Sequence, residues 1–284
     1  MATILKGADV IASMRERMTK EVEELKAKGI EPCLTIIRVG ARPDDLAYER
    51  GARKRMESVG VKLEICELPE DVEQSLLEEN FYRLNEDPKV HGIMLFRPLP
   101  KHLDDSFAIR DINPIKDVDC MSTVNIAKVF SGDESGHAPC TAQAVMEMLA
   151  YYGYDLTGKN VTVVGRSMVV GKPLSMMLQK KNATVTMCHT RTKDLAGECR
   201  RAEIVCAAAG KAGMITADMI SEGAVVIDVG INVNEEGKLC GDVAFDEVAE
   251  KAGAASPVPG GVGGVTSSVL ASHVVRAAQM LEGK

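Results

Sequence analysis

The alternation of apolar and polar positions divides the 284 residues into short blocks. Apolar positions over 8–28 recur at helical spacing up to Gly29, which predicts an amphipathic helix. Cys33–Val39 is an apolar run and reads as a buried strand, followed by a turn over 40–45. A helix over 46–59 closes at Gly60, and Val61–Cys66 forms the next strand. Residues 71–86 predict a helix, and His91–Phe96 a strand that ends against Pro98 and Pro100. A short helix over 104–110 leads to the polar loop Asn113–Asp119. This β-α-β-α-β order predicts a parallel sheet covered by helices.

The pattern then repeats. Beyond a glycine-bearing link at 131–136, Pro139-Cys-Thr141 opens a helix over 142–152. Val161–Val164 is β-branched throughout, Gly165 breaks it, and Gly171 with Pro173 marks the first turn of a helix over 171–181. A strand, a glycine turn and a helix start make an anion site, because free N–H groups and the helix dipole face the ligand. Two glycines six apart are a looser form of the three-glycine dinucleotide fingerprint. Strands at 183–187, 204–208 and 224–228 complete a second doubly wound unit. Residues 256–266 are too glycine-rich for a regular element, and a helix from about 267 to 282 closes the chain. The fold class is therefore α/β: two doubly wound units, with a cleft between them as the place where a cofactor meets a substrate.

The end of the 183–187 strand refines the cofactor. An NAD site places a carboxylate there to hold the ribose 2′-hydroxyl. This chain runs through Thr190 and Arg191 with no acid before Asp194. A hydroxyl and a guanidinium suit a 2′-phosphate, and Arg166 in the glycine turn adds a second cation, so the expected cofactor is NADP. The net charge of −7 argues against nucleic acid or an anionic membrane as partner. No apolar run reaches membrane-span length and no signal peptide is apparent, so a cytoplasmic protein is expected. Eight scattered cysteines, none at C-x-x-C spacing, read as small buried hydrophobes. With five histidines at no ligand spacing, no metal is expected.

Seven stretches in register resemble the methylenetetrahydrofolate dehydrogenase/cyclohydrolase family. They are Tyr48 on the first-unit helix, Lys116–Asp119, Pro139–Thr141, Val164–Ser167 with Val170-Gly171, Asp228–Asn232, Gly241–Val243 and Val258–Gly263. The resemblance implies oxidation of 5,10-methylenetetrahydrofolate to the methenyl form with NADP or NAD, and in many members hydrolysis to 10-formyltetrahydrofolate. It implies a folate-binding catalytic domain over 1–139 plus 267–284, a Rossmann-like NADP domain over 140–266, and a homodimer. Tyr48 and Asp119 become the candidate catalytic residues, with Tyr48, Phe96, Asp119, Pro259, Gly260 and Gly261 at the folate. Gly165, Arg166, Ser167, Gly171, Thr190, Arg191 and Ile231 become the candidate cofactor contacts.

Two departures from the family pattern bear most on the chemistry. A lysine normally stands four residues after the tyrosine as general acid/base; here that residue is Ala52. A glutamine that supports the lysine is replaced by Phe96. Lys54 points nearly opposite on a helix, and a guanidinium at Arg53 or Arg55 stays charged and shuttles protons poorly. Hydride transfer needs alignment, whereas hydrolysis needs protons moved, so the expectation is a dehydrogenase with weak or absent cyclohydrolase activity. The alternatives are the full bifunctional enzyme and a non-catalytic NADP- or folate-binding protein. Cys120, where the family usually has glycine, is read as inert rather than nucleophilic.

Overall fold

The structure is a computed structural model and describes residues 2–282. The chain runs β1 (Thr3–Ile4), α1 (Gly7–Ala27), β2 (Cys33–Val39), α2 (Pro43–Glu57), β3 (Lys62–Leu68), α3 (Gln74–Glu86), β4 (Gly92–Leu95), α4 (Ser106–Asp111) and α5 (Thr123–Ser131). It continues with α6 (Cys140–Tyr151), β5 (Asn160–Val164), α7 (Gly171–Lys180), β6 (Thr184–Cys188), α8 (Leu195–Arg200), β7 (Ile204–Ala207) and β8 (Val225–Asp228). The last elements are β9 (Asn232–Val233), β10 (Leu239–Cys240), α9 (Phe245–Lys251), β11 (Ala254–Ala255) and α10 (Val262–Glu282). Two compact units result: Ser13–Cys140 with the chain from Ser267 onward, and the chain up to Ala12 with Thr141–Thr266.

The first unit is built on a three-stranded parallel sheet in the order β3-β2-β4. The middle strand β2 is buried at every position, which explains its near-continuous apolar run. Ile37 and Val39 on one face join Leu77, Phe81 and Leu84 of α3 and Phe107 of α4 in a core. Phe81 and Phe107 meet edge to face at 5.2 Å, the favoured aromatic geometry. Thr123–Ser131, to which the sequence pattern assigned no element, is a helix capped by the Ser122 hydroxyl, which accepts from Asn125 N–H.

The second unit carries a six-stranded parallel sheet in the order β1-β11-β8-β7-β5-β6. From β5 the chain steps outward to β6 and then returns to the other side of β5 at β7. That reversal is a topological switch point, which opens a crevice at the carboxyl ends of β5 and β7. Two sequence expectations change here. The N-terminus belongs to this unit, not to the first, because Thr3-Ile4 pairs with Ala254-Ala255. The closing helix begins at Val262 rather than near 267: Val262 and Val265 are buried, and Gly264 allows close approach to Ile11. Packing overrides the helix cost of Gly263 and Gly264. No described helix is long and apolar enough to cross a membrane.

Phe81 is fully buried, so Phe81→Ala should cost about 3–5 kcal/mol. Urea denaturation read by far-UV circular dichroism checks this, with an unchanged slope and a lower midpoint expected.

Candidate functional site

Tyr48 lies on α2, which begins earlier than its sequence suggests. Pro43 occupies the first turn, where a proline loses no hydrogen bond, and Asp44 and Asp45 there complement the helix dipole. Arg42 closes the entry by donating to both Asp45 oxygens at 2.8 and 2.9 Å. The helix is also tied to the sheet by a buried cation. Arg38 of β2 pairs at 3.1 Å with Glu49, next to Tyr48, and at 3.1 Å with Glu67 of β3. Removing one partner would leave a buried charge uncompensated.

Phe96 meets the Tyr48 ring edge to face at 5.5 Å, and Ala52 is buried. These are the two positions where the resemblance leads one to expect an amide and an ammonium. The neighbouring cations are engaged or exposed. Arg53 pairs with Glu49 at 3.5 Å, Arg55 donates to Ser267 Oγ at 3.4 Å, and Lys54 is exposed. Desolvation, followed by the charges of Cys140 and Asp119, pushes the Tyr48 hydroxyl up from its ordinary value, so it stays a neutral phenol.

Asp119 ends a loop whose other residues are pinned. Lys116 Nζ donates to the carbonyls of Asn85 and Asp87 at 2.8 and 2.7 Å. The fully buried Asp117 carboxylate accepts from Met121 N–H, Ser122 N–H and Asn125 Nδ2 at 2.8–2.9 Å. Lys116 and Asp117 are therefore scaffolding. Burial pushes the Asp119 carboxyl up from the carboxylate range, and hydrogen bonds from the Cys140 thiol and backbone N–H act against that. A carboxyl so placed can hold a proton nearer neutrality than an exposed one. Cys120 sits at φ +58°, a left-handed conformation that costs a non-glycine residue about 1 kcal/mol and accounts for the family's glycine there. Burial, then Asp117 and Asp119, pushes its thiol up, away from a nucleophilic thiolate.

In the second unit, Gly165 follows β5 at φ +141°, and a Cβ on it would collide with the Ala208 carbonyl. A Cβ on Gly171 would collide with the Gly165 carbonyl, so the turn closes only with glycine at both positions. Arg166 and Ser167 lie exposed in this turn, and Ser167 Oγ accepts from Val170 N–H at 3.0 Å. Thr190 and Arg191 are exposed beyond β6, the strand beside β5. The first acid after them, Asp194, is committed as the cap of α8 through Gly197 N–H at 2.8 Å. This set fits NADP: a turn kept free of side chains for a diphosphate, and cations without a competing carboxylate for a 2′-phosphate.

Ile231 is 69% exposed, on a loop that two aspartates hold. Asp228 accepts from the N–H groups of Gly230, Asp242 and Val243 at 2.9–3.0 Å. Asp242 accepts from Ala209, Gly210 and Lys211 N–H and from Asn232 Nδ2. Sequence reading marked both only as motif members; an Asp beside glycines at strand ends was the available signal for this role. Pro259 and Gly260 are exposed and Gly261 is buried, with Gly7 N–H bonded to the Gly260 carbonyl at 2.8 Å. Among the described residues no three His, Cys, Asp or Glu side chains gather as metal ligands.

Comparison with known proteins covers both units. Residues 5–119 match the tetrahydrofolate dehydrogenase/cyclohydrolase catalytic domain, and residues 139–282 match the NAD(P)-binding domain of the same family. The chain is 52% identical over 281 residues to the bifunctional protein FolD of Clostridioides difficile, covering 99% of this chain and 98% of that one. It is 53% identical over 277 residues to the FolD of Clostridium kluyveri, covering 98% of each. Among solved structures, the bifunctional enzyme FolD of Campylobacter jejuni superposes with a TM-score of 0.95 at 39% identity, covering 99% of both chains. The Trypanosoma brucei dehydrogenase-cyclohydrolase, solved with NADP and an inhibitor, gives 0.91 at 37% identity and covers 98% of both.

Two substitutions test the cofactor turn. Gly171→Ala should weaken NADPH binding at least about tenfold, read by fluorescence titration, because the turn must open to admit the methyl group. Arg191→Gln should raise the KM for NADP about tenfold and leave that for NAD nearly unchanged, since only the 2′-phosphate loses a partner.

Proposed function

Because this chain belongs to the tetrahydrofolate dehydrogenase/cyclohydrolase family, we propose that it oxidises 5,10-methylenetetrahydrofolate with NADP and then hydrolyses the methenyl product to 10-formyltetrahydrofolate. The family's dehydrogenase chemistry and its cofactor NADP accord with the turn at Gly165–Gly171. The second activity is supported by relatives about half identical over nearly their whole length that are named bifunctional. That likeness favours two activities over the dehydrogenase alone expected from Ala52 and Phe96.

The bound NADP supplies a hydride acceptor; the chain supplies alignment and proton handling. The glycine turn and Arg166, with Thr190 and Arg191, are assigned to the phosphates, and the loop at Ile231 to the nicotinamide half. Tyr48 and Phe96 form an aromatic wall for the pterin ring, and Pro259, Gly260 and Gly261 lend backbone to the folate. Hydride transfer requires no proton from the protein, so replacing an ammonium with Ala52 leaves that step intact.

Hydrolysis does require proton movement. Water adds to the methenyl carbon as a C–O bond forms and a proton leaves the water. The bond from that carbon to N5 then breaks as the new hydroxyl gives up its proton to become the formyl carbonyl, and N5 gains a proton, so that one proton is released overall. With no lysine at 52, Asp119 is the proton carrier in this reading. The supporting observation is its carboxyl, raised by burial and set close enough to Tyr48 to act on its ionisation. Tyr48, a neutral phenol, donates a hydrogen bond to the substrate without losing its proton. A cytoplasmic homodimer goes with this reading on the family resemblance.

Asp119→Asn should lower the hydrolysis rate about 100-fold or more, followed as loss of methenyltetrahydrofolate absorbance, while NADPH binding stays unchanged. Full hydrolysis in that variant would remove Asp119 from the mechanism. Ala52→Lys with Phe96→Gln should raise hydrolysis about tenfold and change NADPH formation at 340 nm by less than about threefold.

A further inference from the structure

Two histidines that take no part in the proposed chemistry converge on the Asp119 loop. His273 comes from α10 and His137 from the segment before α6; both are buried. His273 Nδ1 lies 2.8 Å from the Val118 carbonyl, and His137 Nε2 lies 2.9 Å from the Ile115 carbonyl. A carbonyl can only accept, so each of these nitrogens must carry the proton, and both tautomers are fixed. The rings stack at 4.8 Å with a 42° tilt. Cys140 Sγ lies 3.7 Å from His273 Nδ1 and 3.3 Å from the Val118 carbonyl.

His273 and Cys140 meet the carbonyl of the residue immediately before Asp119, His137 meets the carbonyl of Ile115 in the same loop, and the Cys140 backbone N–H bonds the Asp119 carboxyl itself. An apolar side chain at 273 could fill the same volume without burying an imidazole, so the hydrogen bond to Val118 is the feature to explain. We infer that His273, seconded by His137, is a positioning residue: the two uncharged imidazoles hold the Val118 and Ile115 carbonyls and so fix the Asp119 carboxyl in its working place. The inference rests on Asp119 being the proton carrier.

The pair works only while neutral. His137 Nδ1 is buried without a partner, so a second proton there would be an unpaired buried donor beside another imidazole. Burial, opposed by the bond to Ile115 and helped by Arg276 and Lys128, brings His137 down to about 4. Burial and His137, with Arg276, bring His273 down to about 3 against the pull of Val118 and Asp117. Both values lie below the ordinary 6.5, so the unfolded chain binds the extra protons first. Stability from the pair is therefore complete above 6.5 and is lost as the pH falls through about 4 for His137 and towards about 3 for His273. The urea midpoint should fall over that interval.

The test compares His273→Leu, which keeps bulk without a donor, with His273→Asn, whose amide nitrogen can take the place of Nδ1. In His273→Leu, kcat for hydrolysis should fall about tenfold, with the KM for methenyltetrahydrofolate within about twofold. The acid limb of its kcat profile should move down by about one pH unit as water reaches Asp119, and His273→Asn should restore both. Equal loss in the two variants, or a loss with no movement of the acid limb, overturns the inference. Adding His273→Leu to Asp119→Asn should cost nothing further; a full additional loss also overturns it. If Asp119→Asn alone is fully active, it is the assignment of Asp119 that fails. Nitrogen-15 NMR of the imidazoles in the unmodified protein needs no variant to fold. It should show His273 protonated at Nδ1 and His137 at Nε2, uncharged from about pH 5 to about pH 8; titration near the ordinary value overturns the inference.

Discussion

Buried carboxylates that gather backbone N–H groups hold the working loops of this protein. A loop at the carboxyl end of a parallel strand loses its ladder partners, and N–H groups left unpaired away from water cost as much as a lost hydrogen bond. Asp117 collects the turn after Asp119, Asp228 the turn after β8 together with the N–H groups of Asp242 and Val243, and Asp242 the turn after β7 together with Asn232. Each bond to a charged acceptor is stronger than a neutral one. In the second unit Ile231 can then stay exposed on a loop whose neighbouring N–H groups are satisfied.

The position of Ala52 shows what such a scaffold allows. Here α2 is tied to the sheet by Arg38 with Glu49 and Glu67, and Phe96 packs edge to face against Tyr48 while Ala52 is buried on the same helix as Tyr48. Asp119 carries a carboxyl whose proton affinity burial has raised.

Much of this was legible in the sequence, and the limits have physical causes. β2, β5 and β8 announced themselves because strands buried on both faces must be apolar throughout. The glycines at 165 and 171 were legible because no other residue fits the turn. β1 and β11, two residues each, were invisible: Thr3-Ile4 becomes a strand only by pairing with Ala254-Ala255, 251 residues away in the chain. The helical start of α10 was hidden by Gly263 and Gly264, whose poor propensity is outweighed by Val262 and Val265 in the core. Tyr48 and Asp119 could be named from their motifs. That Arg38 anchors Glu49 beside Tyr48, that Cys140 reaches Asp119 and that His273 meets the Val118 carbonyl could not, since no spacing in the chain announces those contacts.

The central claim is that the polypeptide carries both reactions without an amine at position 52. Product analysis by mass spectrometry, with the unmodified protein, 5,10-methylenetetrahydrofolate and NADP in a weakly buffering solution, tests it most directly. The account predicts 10-formyltetrahydrofolate appearing in step with NADPH, well ahead of the uncatalysed hydrolysis. Methenyltetrahydrofolate accumulating one for one with NADPH, and decaying only at the solution rate, would contradict it.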